Sequence, residues 1–85
     1  MIITGTIYLI ILDLMMPKMN GIEACEIIRK TKSLKNVLIT FLSARAEDLT
    51  KITALDSGAD DYITKPIRPK VLLSKINSLF RRKNN

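Results

Sequence analysis

The sequence predicts an α/β fold: a partial parallel sheet in the order β-α-β-α-β-α. Two short apolar runs rich in β-branched residues, residues 7–12 (IYLIIL) and 37–42 (VLITFL), each stop at a polar residue. Continuous apolar runs of this length suit strands covered on both faces, as in a parallel sheet. Segments of helical period follow each run, with Gly, Pro or Asn-Gly where the chain has to turn.

The first run stops at Asp13, and Pro17 and Asn20-Gly21 mark the loop after it. A helical pattern then puts Ile22, Ala24, Cys25 and Ile28 on one face and Glu23, Glu26, Arg29 and Lys30 outside. Its acidic residues come first and its basic ones last, as the helix dipole favours, and it should end near Lys32. The second run gives way to Ser43-Ala44-Arg45. Residues 47–57 form a weaker helical pattern with Leu49, Ile52 and Leu55 on one side, and Gly58 is a plausible stop. Residues 62–64 make a short third strand closed by Lys65-Pro66. Pro69 suits the first turn of a last helix, whose apolar face is Leu72, Leu73, Ile76, Leu79 and Phe80. The spacing fits right-handed βαβ crossovers.

At 85 residues the chain is one domain at most. A domain of this size buries only about 60–65% of the surface its unfolded chain exposes, so its stability is marginal without a partner. The net charge of +6 is spread at helical spacing, except for Arg81, Arg82 and Lys83. That distribution reads as a solvated surface with a basic end, rather than a nucleic-acid face. Histidine is absent and Cys25 is the one cysteine, which excludes zinc-finger sites, histidine catalysis and an internal disulfide within these residues. Cys25, among apolar neighbours, reads as a small core residue. A reducing cytoplasm fits. Residues 1–12 lack the basic start of a signal peptide and are too short to span a membrane.

In open α/β sheets, ligands bind beyond the carboxyl ends of the strands. Here those ends carry Asp13, Ser43 (or Thr40, earlier in the same strand) and Lys65. A carboxylate, a hydroxyl and an ammonium on one edge suit phosphoryl transfer to an aspartate: the carboxylate attacks while hydroxyl and cation hold the phosphoryl oxygens.

The stretch LIILDLMMPKMNG, residues 9–21, resembles the phosphorylation-site segment of response-regulator receiver domains, with the pattern Asp-x-x-Met-Pro-x-Met-x-Gly. Ser43 follows Asp13 by thirty residues (43 − 13) and Lys65 by fifty-two (65 − 13), both the family's usual intervals. Gly58-Ala59-Asp60-Asp61-Tyr62 before Lys65-Pro66 is similar to the family's signature ahead of its last helix. The resemblance implies the last three strand–helix units of a flavodoxin-like receiver over residues 7–82, with 1–6 an atypical leading segment and 83–85 a tail. It makes Asp13 the phospho-acceptor, Ser43 and Lys65 its assistants, Ser43 and Tyr62 the switch pair, and Lys65-Pro66 a cis peptide. A histidine kinase would donate the phosphoryl group with Mg²⁺, and Asp13 and the backbone carbonyl of Met15 would be metal ligands. The switched face would be the last two helices and the strand between them.

The later wording, ARAEDLTKITALDSGADDYITKPIRP, is similar to receivers of the winged-helix transcription-factor class. That likeness implies transcription regulation, with DNA reached only through an output domain outside these residues. It also puts Lys51, Asp60, Asp61 and Arg82 near a charged dimer surface.

A receiver begins with a strand ending in an acidic pair, and residues 1–12 contain neither Asp nor Glu. The Mg²⁺ site is therefore expected to be incomplete, since the ion demands a near-octahedral oxygen shell. The strand over residues 7–12 is expected to be an apolar edge that invites pairing with another chain. A homodimer or larger assembly follows as an expectation, through that edge or through the switched face. The competing reading is a phosphorylation-independent dimerisation or interaction module.

Overall fold

The computed structural model describes residues 9–14 and 20–84, with side chains through residue 82. Residues 1–8, Met15 with its carbonyl, the 16–19 part of the first loop and the tail side chains lie outside the described residues.

Three parallel strands form one sheet in the order β1-β2-β3: β1 (Leu9–Asp13), β2 (Leu38–Ser43) and β3 (Asp61–Thr64). The helices α1 (Gly21–Lys30), α2 (Asp48–Asp56) and α3 (Pro69–Asn84) follow them in turn. The register pairs Asp13 with Leu42 and Ser43 with Thr64, so the three strand tips lie along one edge. β2 is central, and its Ile39, Thr40 and Phe41 are fully buried. Their lack of polar outward positions is the reason the strand reads as a continuous apolar run.

Leu12, Leu14, Cys25, Val37, Ile39, Phe41, Ala54 and Tyr62 form the core, with Ile22, Ala24 and Ile28 of α1 packed against it. The face expected for α1 is thus the face it buries. Asn20 starts that helix: its side-chain oxygen accepts the Glu23 N–H at 2.8 Å while its amide donates to the Glu23 carboxylate at 3.2 Å. This reciprocal cap satisfies an otherwise orphan backbone N–H of the first turn. α1 ends at Lys30 with Thr31 as its C-cap, close to the expected end near Lys32, and the Thr31 hydroxyl donates back to the Ile27 carbonyl at 2.8 Å.

α2 is the exception to amphipathic packing. Its Leu49, Ile52 and Leu55 share one side, and that side faces outward, with Leu49 75% exposed. Its buried residue is Ala54. Gly58 follows the helix with φ of 115°, a left-handed conformation open to glycine at little cost. In α3, Leu79 is buried and Leu72, Ile76 and Phe80 are half-buried, but Leu73 of the expected apolar face is exposed.

Arg29 ties the opposite end of the sheet together. Its guanidinium donates to the carbonyls of Gly58 (2.7 Å), Lys35 (3.0 Å) and Val37 (2.6 Å) and pairs with Asp60 at 2.9 Å. The same Asp60 oxygen accepts the Ile39 N–H at 2.9 Å. One planar fork thereby fixes the end of α1, the entry to β2 and the turn before β3. Asp60 and Asp61, expected near a dimer surface, are engaged within the chain, the second by Lys75 at 3.9 Å.

Candidate functional site

The parallel register brings Asp13, Ser43 and Lys65 to the carboxyl edge of the sheet. Asp13 is the last residue of β1 and about half exposed. The Lys65 N–H donates to the Ser43 carbonyl at 2.7 Å, which extends the β2–β3 ladder by one step. The Lys65–Pro66 peptide is cis. From there the ammonium reaches back across the edge to lie 3.6 Å from an Asp13 carboxylate oxygen.

Ser43 is buried at the tip of β2, and its hydroxyl oxygen accepts the Arg45 N–H at 3.1 Å. Thr40, the other hydroxyl on that strand, is fully buried in mid-strand and donates weakly to the Phe41 carbonyl at 3.4 Å. Of the two β2 hydroxyls, Ser43 is therefore the one at the edge. Tyr62 points inward, its ring 6.2 Å from that of Phe41 and its hydroxyl donating to the Arg45 carbonyl at 2.6 Å. The loop after Ser43 is held by that bond and by the Arg45–Glu47 ion pair at 3.2 Å. The Glu47 carboxyl lies below its usual range, first through a hydrogen bond from its own backbone and then through Arg45, against an opposing desolvation.

No enclosed cavity lies among the described residues, so the site is an open edge. A carboxylate there with an ammonium beside it and a hydroxyl on the next strand can attack an electrophilic phosphorus and hold the resulting oxygens. Two contributors were given no role of their own from the sequence. Gly21 read as part of an Asn-Gly loop, yet its backbone packs directly on Asp13, and its N–H donates to the Leu14 carbonyl at 2.9 Å. Arg45 acts through its carbonyl, a group every residue has.

The family model for the response regulator receiver domain matches residues 1–77. The chain belongs to that family. It is 44% identical over 79 residues to the probable transcriptional regulator ycf27 of Cyanidium caldarium, covering 93% of this chain and 30% of that protein. It is 39% identical over 77 residues to the DNA-binding response regulator MtrA of Mycolicibacterium paratuberculosis, covering 91% of this chain and 33% of the relative. The receiver thus spans about a third of the length of these curated relatives. Among solved structures, a two-component response regulator from Clostridium difficile superposes with a TM-score of 0.83 at 29% identity, over 96% of this chain and 65% of that one. These likenesses favour the two-component receiver over the phosphorylation-independent module.

The Mn²⁺-bound form of response regulator Rcp1 is also similar (TM-score 0.65, 27% identity, 84% of this chain and 51% of that one). Among the described residues the donor set does not match a divalent ion. Among the described residues no three His, Cys, Asp or Glu side chains gather as a metal site. Residues 1–8 and 15–19 contain no acidic residue. Asp13 with one backbone carbonyl falls short of the oxygen shell that Mg²⁺ requires.

Proposed function

We propose that Asp13 accepts a phosphoryl group from the phosphohistidine of a histidine kinase. A carboxylate oxygen of Asp13 attacks phosphorus; the new P–O bond forms as the P–N bond to the kinase histidine breaks, and the electron pair leaves with the imidazole. Lys65 offsets the charge gathering on the phosphoryl oxygens, and the Ser43 hydroxyl turns to donate to one of them. The observation that carries this reading is the 3.6 Å approach of the Lys65 ammonium to the Asp13 carboxylate at the edge where Ser43 also ends.

When Ser43 turns toward the phosphoryl group, its bond to the Arg45 N–H is lost, and the loop bearing the Tyr62 acceptor is free to move. Tyr62 couples that motion to β3 and to the α2–β3–α3 face, a two-state change of packing driven by local charge. The outward Leu49, Ile52 and Leu55 support self-association through this face. DNA contact, as in the DNA-binding relatives, would come through an output domain. Among the described residues no helix is long and apolar enough to cross a membrane, and with the free thiol of Cys25 this supports a cytoplasmic site of action. Residues 7–82 make up the receiver unit in this reading, flanked by 1–6 and 83–85.

Acetyl phosphate followed by intact-mass spectrometry tests the assignment. One phosphoryl adduct is expected on the parent chain, none on Asp13→Asn, and slower labelling of Lys65→Met. An adduct that survives in Asp13→Asn would remove Asp13 from the role.

A further inference from the structure

Ser43, Arg45 and Glu47 are tied to one another at alternate positions along the loop between β2 and α2. The Ser43 hydroxyl oxygen accepts the Arg45 N–H at 3.1 Å. Arg45 Nε in turn lies 3.2 and 3.3 Å from the two Glu47 carboxylate oxygens. The Arg45 carbonyl accepts the Tyr62 hydroxyl at 2.6 Å. Ser43 and Tyr62 therefore both bond the backbone of one residue, whose side chain is fastened to the start of α2. Glu47 is the N-cap of that helix, yet its side chain makes no capping bond; the carboxylate turns to Arg45 instead. We infer that the Arg45–Glu47 ion pair is a latch: it positions the Arg45 backbone groups on which Ser43 and Tyr62 rest, and its release lets residues 44–47 yield to the phosphoryl group.

The physical ground is linkage. Whatever holds the loop with Ser43 turned away from the edge opposes the event that turns it, and the two effects are equal in size at equilibrium. The Lys51 N–H donates to the Glu47 carbonyl at 3.1 Å, so Glu47 moves with α2. Arg45, clasped to Glu47, is thereby referred to the helix and keeps its N–H under Ser43. Both side chains are more than half exposed, at 52% and 57%. An exposed pair shifts such an equilibrium by about fivefold at most, which biases the loop without locking it. A state reached by only part of the molecules reacts in proportion to that part, so labelling gains by the same factor when the latch is lost. Arg45 is in this sense a positioning residue, acting through Ser43 and Tyr62. The effect on labelling rests on the phosphoryl-acceptor reading; the hold on the loop does not.

Arg45→Met and Glu47→Ala each open the latch and leave the backbone bonds to Ser43 and Tyr62 in place. Amide hydrogen exchange by NMR reads the loop, and acetyl phosphate with intact-mass spectrometry reads the labelling. In both variants the amide of residue 45 should lose protection by about 2–5-fold, while the buried β2 amides of Ile39, Thr40 and Phe41 keep theirs. In about 1 M NaCl, where charges are screened beyond about 3 Å, the three chains should converge. Labelling should be faster than the parent's in both variants. Arg45→Met lowers the net charge and Glu47→Ala raises it, so plain attraction of the anionic donor would move the two in opposite directions. That opposite response would overturn the latch. So would unchanged protection at residue 45 in either variant, a loss of protection that spreads to residues 39–41, or a difference that survives the salt. Failure of acetyl phosphate to label any of the chains would instead count against Asp13 as acceptor, and the exchange comparison would then decide the latch by itself.

Discussion

Replacing Gly21 by alanine joins stability to the site in a single atom. A Cβ at this position would lie 2.5 Å from the Asp13 carbonyl oxygen, 2.8 Å from Phe41 Cε1 and 3.0 Å from Leu14 Cα. Comfortable carbon contacts lie at about 3.5–4.0 Å. Two of the three neighbours are backbone, and Phe41 is fully buried, so no flexible side chain can swing away. Overpacking of this kind costs about 1–3 kcal/mol, and the upper end fits a collision with backbone. Moving the helix start also weakens the Gly21–Leu14 hydrogen bond, at about 1 kcal/mol. Against these stands a gain of about 0.4–1 kcal/mol from the stiffer unfolded chain. The net loss is about 2–3 kcal/mol, or a fall in Tm of roughly 10–20 °C for a domain of this size. Urea unfolding followed by circular dichroism should show a lower midpoint with an unchanged slope. Because the collision is with the acceptor's own carbonyl, labelling of Asp13 should slow in the folded variant too. Stability within about 0.5 kcal/mol of the parent would refute the packing described here.

The remaining predictions concern the clamp, the tyrosine and the outward face of α2. Arg29→Met removes every bond of the fork and should cost about 2–4 kcal/mol in urea unfolding, with Asp60→Asn costing less and the double variant less than the sum; additive costs would mean that the two residues do not act as one unit. Tyr62→Phe loses the bond to the Arg45 carbonyl, so it should cost about 1 kcal/mol and speed hydrogen exchange in residues 43–47. Unchanged exchange there would separate Tyr62 from the loop. Ile52→Glu should change monomer stability by less than about 0.5 kcal/mol, since the side chain already meets water, while weakening self-association in sedimentation velocity. A loss of several kcal/mol would place that stripe in the core.

The order of elements was legible because a buried parallel strand and an amphipathic helix leave different periods in the sequence. The β2 run, the inward face of α1, the stop at Gly58 and the start of α3 at Pro69 were all read correctly from such local rules. The direction of the α2 stripe was not. Leu49, Ile52 and Leu55 repeat as a core face would, but α2 meets the core through Ala54, and periodicity reveals a stripe without revealing which way it points. Leu73 in α3 shows the same limit. Of the site, the three tip residues could be found because a parallel register aligns strand ends. The Arg29 clamp could not: its acceptors are backbone carbonyls scattered over residues 35–58, positions that only the folded chain brings within reach of one guanidinium.

The central claim is that Asp13, Ser43 and Lys65 surround a single phosphoryl group. Two-dimensional amide NMR during treatment with acetyl phosphate tests it most directly. The amides at the ends of β1, β2 and β3, around residues 13–14, 43–45 and 64–65, should shift together with one time course, and Asp13→Asn should remove all of these changes at once. Shifts confined to one strand tip, or centred on the basic residues 81–83, would contradict the account.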